Sequence, residues 1–222
     1  MTDYIATLEQ EFEANSNPQI AEGQKAYMRN QFEFYGITSP KRREIQRPFL
    51  VKSFLPSKEK LQELVKALWQ KPQREYQFFA QELVSKYTKQ FSISDISILE
   101  YMVTHKSWWD TVDYIAVKLI GPYFERYPEQ LDTHLEKWLA SDNIWLQRCC
   151  LLYQLKRKDN IDTTRLNMII QRLLGSKEFF INKAIGWVLR EYSRTNPNWV
   201  KEFVSRNELA NLSRREALRL LD

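Results

Sequence analysis

The chain has 222 residues, enough to bury a sizeable core in one domain or one elongated array, and its 43% hydrophobic and 14% aromatic content is that of a folded protein. Five glycines are too few for glycine-rich phosphate loops, no apolar run reaches membrane-helix length, and the N-terminus lacks a signal-peptide pattern, so a cytoplasmic protein is expected. The net charge of +5 is uneven: residues 1–140 hold 18 Lys+Arg against 19 Asp+Glu, residues 141–222 hold 15 against 9, and the excess positive charge therefore hints at a polyanion.

Nearly every segment reads helical. Asp3 to Ala14 is amphipathic, with Ile5, Leu8 and Phe12 on one face. Pro18 opens a second helix that carries Ile20, Tyr27, Met28 and Phe32 and stops near Gly36. Pro40 opens a third, with Lys41, Arg42 and Arg43 at its start; cations there oppose the helix dipole and point to an external anion. Further helices are predicted over 57–70, 73–89, 92–105, 107–127, 128–140, 144–158, 162–174, 177–194, 197–206 and 213–221, joined by short connections rich in proline, glycine and capping residues. Ser107 is the expected N-cap of the 107–127 helix, with Asp110 in its first turn. No alternating strand pattern of useful length occurs, so the fold is expected to be all-α and residues 1–222 a single domain.

Cys149 and Cys150 are adjacent, which ordinary disulfide geometry cannot join on a helix, and with two distant histidines, His105 and His134, they form no recognisable metal-ligand set. No metal is expected. The chain also lacks a P-loop, a G-x-G-x-x-G, an H-E-x-x-H and a G-x-S-x-G elbow. Catalysis, if present, must run on carboxylates, aromatic rings and positive charge.

The helices repeat. Tyr76, Trp109, Trp145 and Phe180 stand in similar contexts at spacings of 33, 36 and 35 residues, the length of a helix-pair repeat in an α-solenoid of the HEAT, armadillo or TPR kind. Four residues beyond each anchor stand Ala80, Asp113, Cys149 and Ala184; seven beyond stand Leu83, Ala116, Leu152 and Trp187. Asp113 and Trp187 are the two residues out of character. Taken alone, Trp109 reads as core and Asp113 as a solvated acid. A carboxylate in a packing slot is costly unless paired or kept for chemistry, and Trp109 shares its helical face at i, i+4. On the 177–194 helix, Lys183, Trp187, Arg190 and Arg194 form one face: an ordinary solvated charge stripe, or, with a tryptophan in its middle, cations that track a phosphate backbone. A carboxylate beside indole rings suits cleavage of a glycosidic bond, whose transition state gathers positive charge on the sugar.

Three segments carry a specific likeness: Lys106-Ser107-Trp108-Trp109-Asp110-Thr111-Val112-Asp113, Ala140-Ser141-Asp142-Asn143-Ile144-Trp145-Leu146-Gln147-Arg148, and Ser176 through Tyr192. In that order they resemble the AlkD family of bacterial alkylpurine DNA glycosylases, and the likeness runs over essentially the whole chain. The resemblance implies a curved α-solenoid of HEAT-like repeats with a basic concave face for duplex DNA. It implies excision of cationic N3- and N7-alkylated purines, such as 3-methyladenine and 7-methylguanine, without metal or organic cofactor and without extruding the base. Asp113 matches the aspartate that stabilises the sugar cation and positions water, Trp109 and Trp187 the tryptophans along the lesion's deoxyribose, Arg148 a backbone contact and Tyr27 a tyrosine facing the site. Lys183, Arg190 and Arg194 join Arg148 and Tyr27 as expected DNA contacts. Thr38 departs from the glutamine expected next to Ile37. The expected partner is double-stranded DNA carrying alkylated purines, the protein a monomer that acts on nucleoid DNA. Two rivals are a non-catalytic HEAT-repeat module that binds DNA structure and a protein-binding scaffold.

Overall fold

Side chains of Asn and Asp mark where helices begin. Asn17 accepts from the N–H groups of Gln19 and Ile20, Asn143 from those of Trp145 and Leu146, Asp162 from Arg165 and Asn196 from Trp199. Each satisfies donors that a helix start leaves without a partner. The computed structural model describes residues 2–221, and among these the regular structure is helical, with no strand and a single isolated bridge between Glu33 and Gln73. The all-α expectation holds. The helices group into two compact units, one ending at Phe91 and one beginning at Ser92.

The first unit contains α1 (Thr2–Ala14), α2 (Pro18–Tyr27), α3 (Ser39–Gln46), α4 (Leu61–Gln70) and α5 (Arg74–Ser85). Its core is formed by Leu8, Phe12, Phe49, Leu64, Leu68, Trp69, Tyr76 and Phe79. The second predicted helix stops at Tyr27, short of Gly36, because Arg29 and Asn30 turn left-handed and donate back to Ala26 and Lys25, a Schellman-type closure. The loop that follows is held by the buried Glu75 carboxylate, which accepts from the N–H groups of Tyr35, Gly36 and Ile37. Gly36, at φ +85, lies so close to α2 that a Cβ would stand 2.0 Å from the Asn17 carbonyl oxygen.

The second unit contains α6 (Ile96–Thr104), α7 (Trp109–Ile115), α8 (Gly121–Arg126), α9 (Leu131–Leu139), α10 (Ile144–Leu152), α11 (Thr163–Leu173), α12 (Phe179–Ser193), α13 (Pro197–Arg206) and α14 (Asn211–Leu218). A π-turn over Ala116–Ile120 makes α7 and α8 one continuous helix; Pro122 offers no N–H, and Gly121 donates back five residues to Ala116. The repeat register survives in the burial pattern. Ala80, Cys149 and Ala184 are fully buried, as are Leu83, Ala116 and Leu152, whereas Asp113 and Trp187 are half-buried. Among the described residues no helix is long and apolar enough to cross a membrane, and no group of His, Cys, Asp or Glu could hold a metal ion.

Candidate active site

α7 begins one residue later than expected after its cap. Trp108 occupies the N-cap in extended backbone, and Ser107 instead donates its hydroxyl to the Val103 carbonyl at 2.6 Å, closing the end of α6. Lys106 makes the turn between the two helices at φ +47. This tight reversal delivers Trp109 in the first turn of α7 and Asp113 one turn later, on the same face. Trp109 is half-buried.

Asp113 is paired. Arg148, from the middle of α10, donates Nε–H to Oδ1 at 2.7 Å and Nη2–H to Oδ2 at 2.9 Å, the two-pronged geometry natural to guanidinium and carboxylate. Arg148 donates a third time, from Nη1 to the Phe180 carbonyl in the first turn of α12, at 2.5 Å. One side chain thereby ties together α7, α10 and α12. The carboxylate keeps 16% of its side-chain exposure while the guanidinium keeps 4%, so the accessible partner is the acid. Burial pushes the Asp113 carboxyl above its ordinary value; the hydrogen bonds and charge of Arg148 pull it back without cancelling that effect, and Asp110 adds to the rise.

Beside this pair the rings of Trp108, Trp145 and Phe180 pack on one another, with centroids 5.0–5.7 Å apart. They form an aromatic wall next to the Arg148–Phe180 contact. Trp187, two turns along α12 from Phe180, is half-buried.

The remaining expected residues fall elsewhere. Arg148, expected at a DNA backbone, is a buried ligand of Asp113. Two of the three cations of the stripe on α12 have a partner within the protein. Glu216 of α14, itself buried, takes Lys183 on Oε1 at 2.8 Å and Arg190 on Oε2 at 2.5 Å. Those contacts, led by the hydrogen bond from Lys183, hold the Glu216 carboxyl below the usual range against its burial. Arg194 remains exposed, with a loose 3.7 Å pairing to Glu191. Tyr27 ends α2 in the first unit and is 71% exposed; Thr38 is exposed at the N-cap of α3 and makes no side-chain cap. Sequence reasoning missed Glu216, Phe180 and the ring pair Trp108–Trp145. Glu216 had one visible signal: it is the only acid in the Asn211–Leu218 segment.

Residues 8–221 match the model of the DNA alkylation repair enzyme family. The structure is similar to that of a predicted DNA alkylation repair enzyme from Enterococcus faecalis, with 36% sequence identity and a TM-score of 0.86, over 93% of this chain and 96% of the other. No curated protein matches the chain.

Proposed function

Because the chain belongs to the DNA alkylation repair enzyme family, we propose that it is a monofunctional DNA glycosylase hydrolysing the N-glycosidic bond of cationic N3- and N7-alkylated purines in duplex DNA, 3-methyladenine and 7-methylguanine among them. Membership of the family supports a role in the repair of alkylated DNA; the glycosylase chemistry is read from Asp113. A purine alkylated at N3 or N7 already carries positive charge, so it leaves with the electrons of the C1′–N bond and needs little acid assistance. The demand falls on the sugar, where positive charge gathers as the bond stretches. A carboxylate near C1′ lowers the energy of that charge and accepts a hydrogen bond from the attacking water, whose proton passes to solvent or to the carboxylate.

The observation that carries this reading is the state of Asp113. It is largely sheltered from water, which strengthens its field, and both oxygens are fixed by Arg148. Each carboxylate oxygen has a second lone-pair direction for water or the sugar. Trp109 shares its helical face, and in this reading Trp187 is a second indole for the cationic nucleotide. Arg148 acts as the buried holder of Asp113. Tyr27 and Arg194 are further DNA contacts in the same reading. Residues 1–222 act as one monomeric domain in the cytoplasm.

The test is release of base from methylated duplex DNA. Wild type releases 7-methylguanine, and Asp113→Asn does so at least about 100-fold more slowly. No release by wild type overturns the activity, and undiminished release by the variant removes Asp113 from the mechanism. The rival, a binding module without chemistry, draws on the closed Asp113–Arg148 pair; it predicts salt-dependent duplex binding with no base release from either protein.

A further inference from the structure

Glu216 lies outside every role assigned so far, yet it reaches the one tryptophan-bearing face of α12. Lys183 and Arg190 flank Trp187 at four residues before and three after, so they lie on its two sides along one helical face. Both end on the same carboxylate. Directly between them is Gly186, where a Cβ would stand 2.5 Å from Glu216 Cβ and 2.9 Å from the Ser213 carbonyl oxygen. Only a residue without a side chain lets α14 lie this close, and Ser213 fastens the crossing by donating its hydroxyl to the Asn182 carbonyl at 2.8 Å. Ser213 is fully buried and Glu216 nearly so.

We propose that Glu216 is a positioning residue for Trp187: its carboxylate clamps the cations on either side of the indole, fixes that face of α12, and withholds both cations from the DNA backbone. In the proposal Glu216 keeps both cations when a strand arrives, since both of its oxygens are engaged and its side chain is 9% exposed. The inference rests on the reading of Trp187 as a site residue, but the clamp itself is testable without catalysis.

The full chain is labelled with 5-fluorotryptophan, and the Trp187 resonance is assigned by its absence from Trp187→Phe. In Glu216→Gln that resonance shifts and broadens as the indole samples more than one setting, while the Trp69 and Trp138 resonances stay in place. The variant also binds an unmodified duplex more tightly, with a log–log salt slope steeper by about 0.9 for each cation released to a phosphate. Its single-turnover release of 7-methylguanine at saturating enzyme falls at least tenfold despite the tighter binding. If Glu216→Gln does not fold, Lys183→Gln and Arg190→Gln each remove half of the clamp: each broadens the Trp187 resonance and leaves the salt slope nearly unchanged, since neither cation contacts phosphate in the wild type. An unmoved Trp187 resonance in the folded variants overturns the proposal, as does a slope lowered by about 0.9 in Lys183→Gln. Absence of base release from wild type, with the resonance behaving as described, sinks the glycosylase reading and leaves the clamp standing.

Discussion

Arg148 and Asp113 meet through two parallel hydrogen bonds across 35 residues of sequence, and the arginine is the more deeply buried of the two. That asymmetry decides which partner does chemistry. A guanidinium sealed between α7, α10 and α12 is a fixed support, whereas the carboxylate at its edge retains an accessible side. The pairing also answers how a helix slot filled elsewhere by Ala80, Cys149 and Ala184 tolerates an acid: the charge is matched by a partner whose own position in the repeat holds Phe79, Val112 and Lys183 in the other helices.

Removing the arginine should therefore damage stability more than removing the acid. Arg148→Met leaves a sheltered carboxylate without a partner and should lower unfolding free energy by on the order of 3–5 kcal/mol. Asp113→Asn keeps one acceptor for Arg148 and should lose appreciably less. Chemical denaturation of the two variants and of the double mutant measures this; equal losses would mean that the pair does not act as a buried unit.

Acid titration separates the two buried carboxylates. Asp113 is raised by burial, so the folded state holds its proton more tightly than the unfolded chain. Its protonation favours the fold: that contribution is complete below the ordinary carboxylate pKa and is lost as pH rises through the raised value. Glu216 is held low, chiefly by the hydrogen bond from Lys183, so its contribution is present above the ordinary value and is lost as pH falls through the lowered one. Stability measured from pH 3 to 7 should accordingly rise more steeply with pH in Asp113→Asn than in wild type and less steeply in Glu216→Gln. Base release, which needs the Asp113 anion, should rise with pH on an acid limb whose midpoint lies above that of a free aspartate.

Much of this was legible because helices announce themselves locally. Asn17, Asn143, Asp162 and Asn196 cap the starts that their side chains predict, and Pro18 and Pro197 stand at first helical positions. Where a local signal had two uses, the expectation failed: Ser107 has the chemistry of an N-cap, but its hydroxyl bonds backward to Val103. The residues flagged by the repeat register, Asp113 and Trp187, are the ones the packing leaves partly accessible. Glu216 was not legible, since its meaning depends on α14 crossing α12 at Gly186, a contact between segments about 30 residues apart that no periodicity encodes. The stripe on α12 was legible as one face, but not the pairing of Lys183 and Arg190 with Glu216.

The crossing itself predicts a sharp steric cost. Gly186→Ala gains helix propensity of up to about 1 kcal/mol but drives a methyl into Glu216 Cβ and the Ser213 backbone. Overpacking of that kind costs about 1–3 kcal/mol, so the net change should be destabilising, with a lowered melting temperature. Hydrogen exchange should localise the loosening to α14. A melting temperature at or above wild type would mean that α14 can shift without loss.

In the first unit, Glu75 should prove structural through its acceptors rather than its charge. Its Oε1 takes the N–H groups of Gly36 and Ile37 at 3.1 and 3.3 Å, and its Oε2 that of Tyr35 at 3.2 Å. A glutamine at this position has only one oxygen and must turn an amide N–H₂ toward one of these donors. Glu75→Gln should therefore cost about 1–3 kcal/mol, the penalty of stranding a buried N–H. Native-state hydrogen exchange reads the outcome directly: the Tyr35 amide, or those of Gly36 and Ile37, should lose protection while the α4 and α5 amides keep theirs. Uniform loss across the unit would show that the carboxylate supports the whole fold, and unchanged protection would remove Glu75 as the holder of this loop.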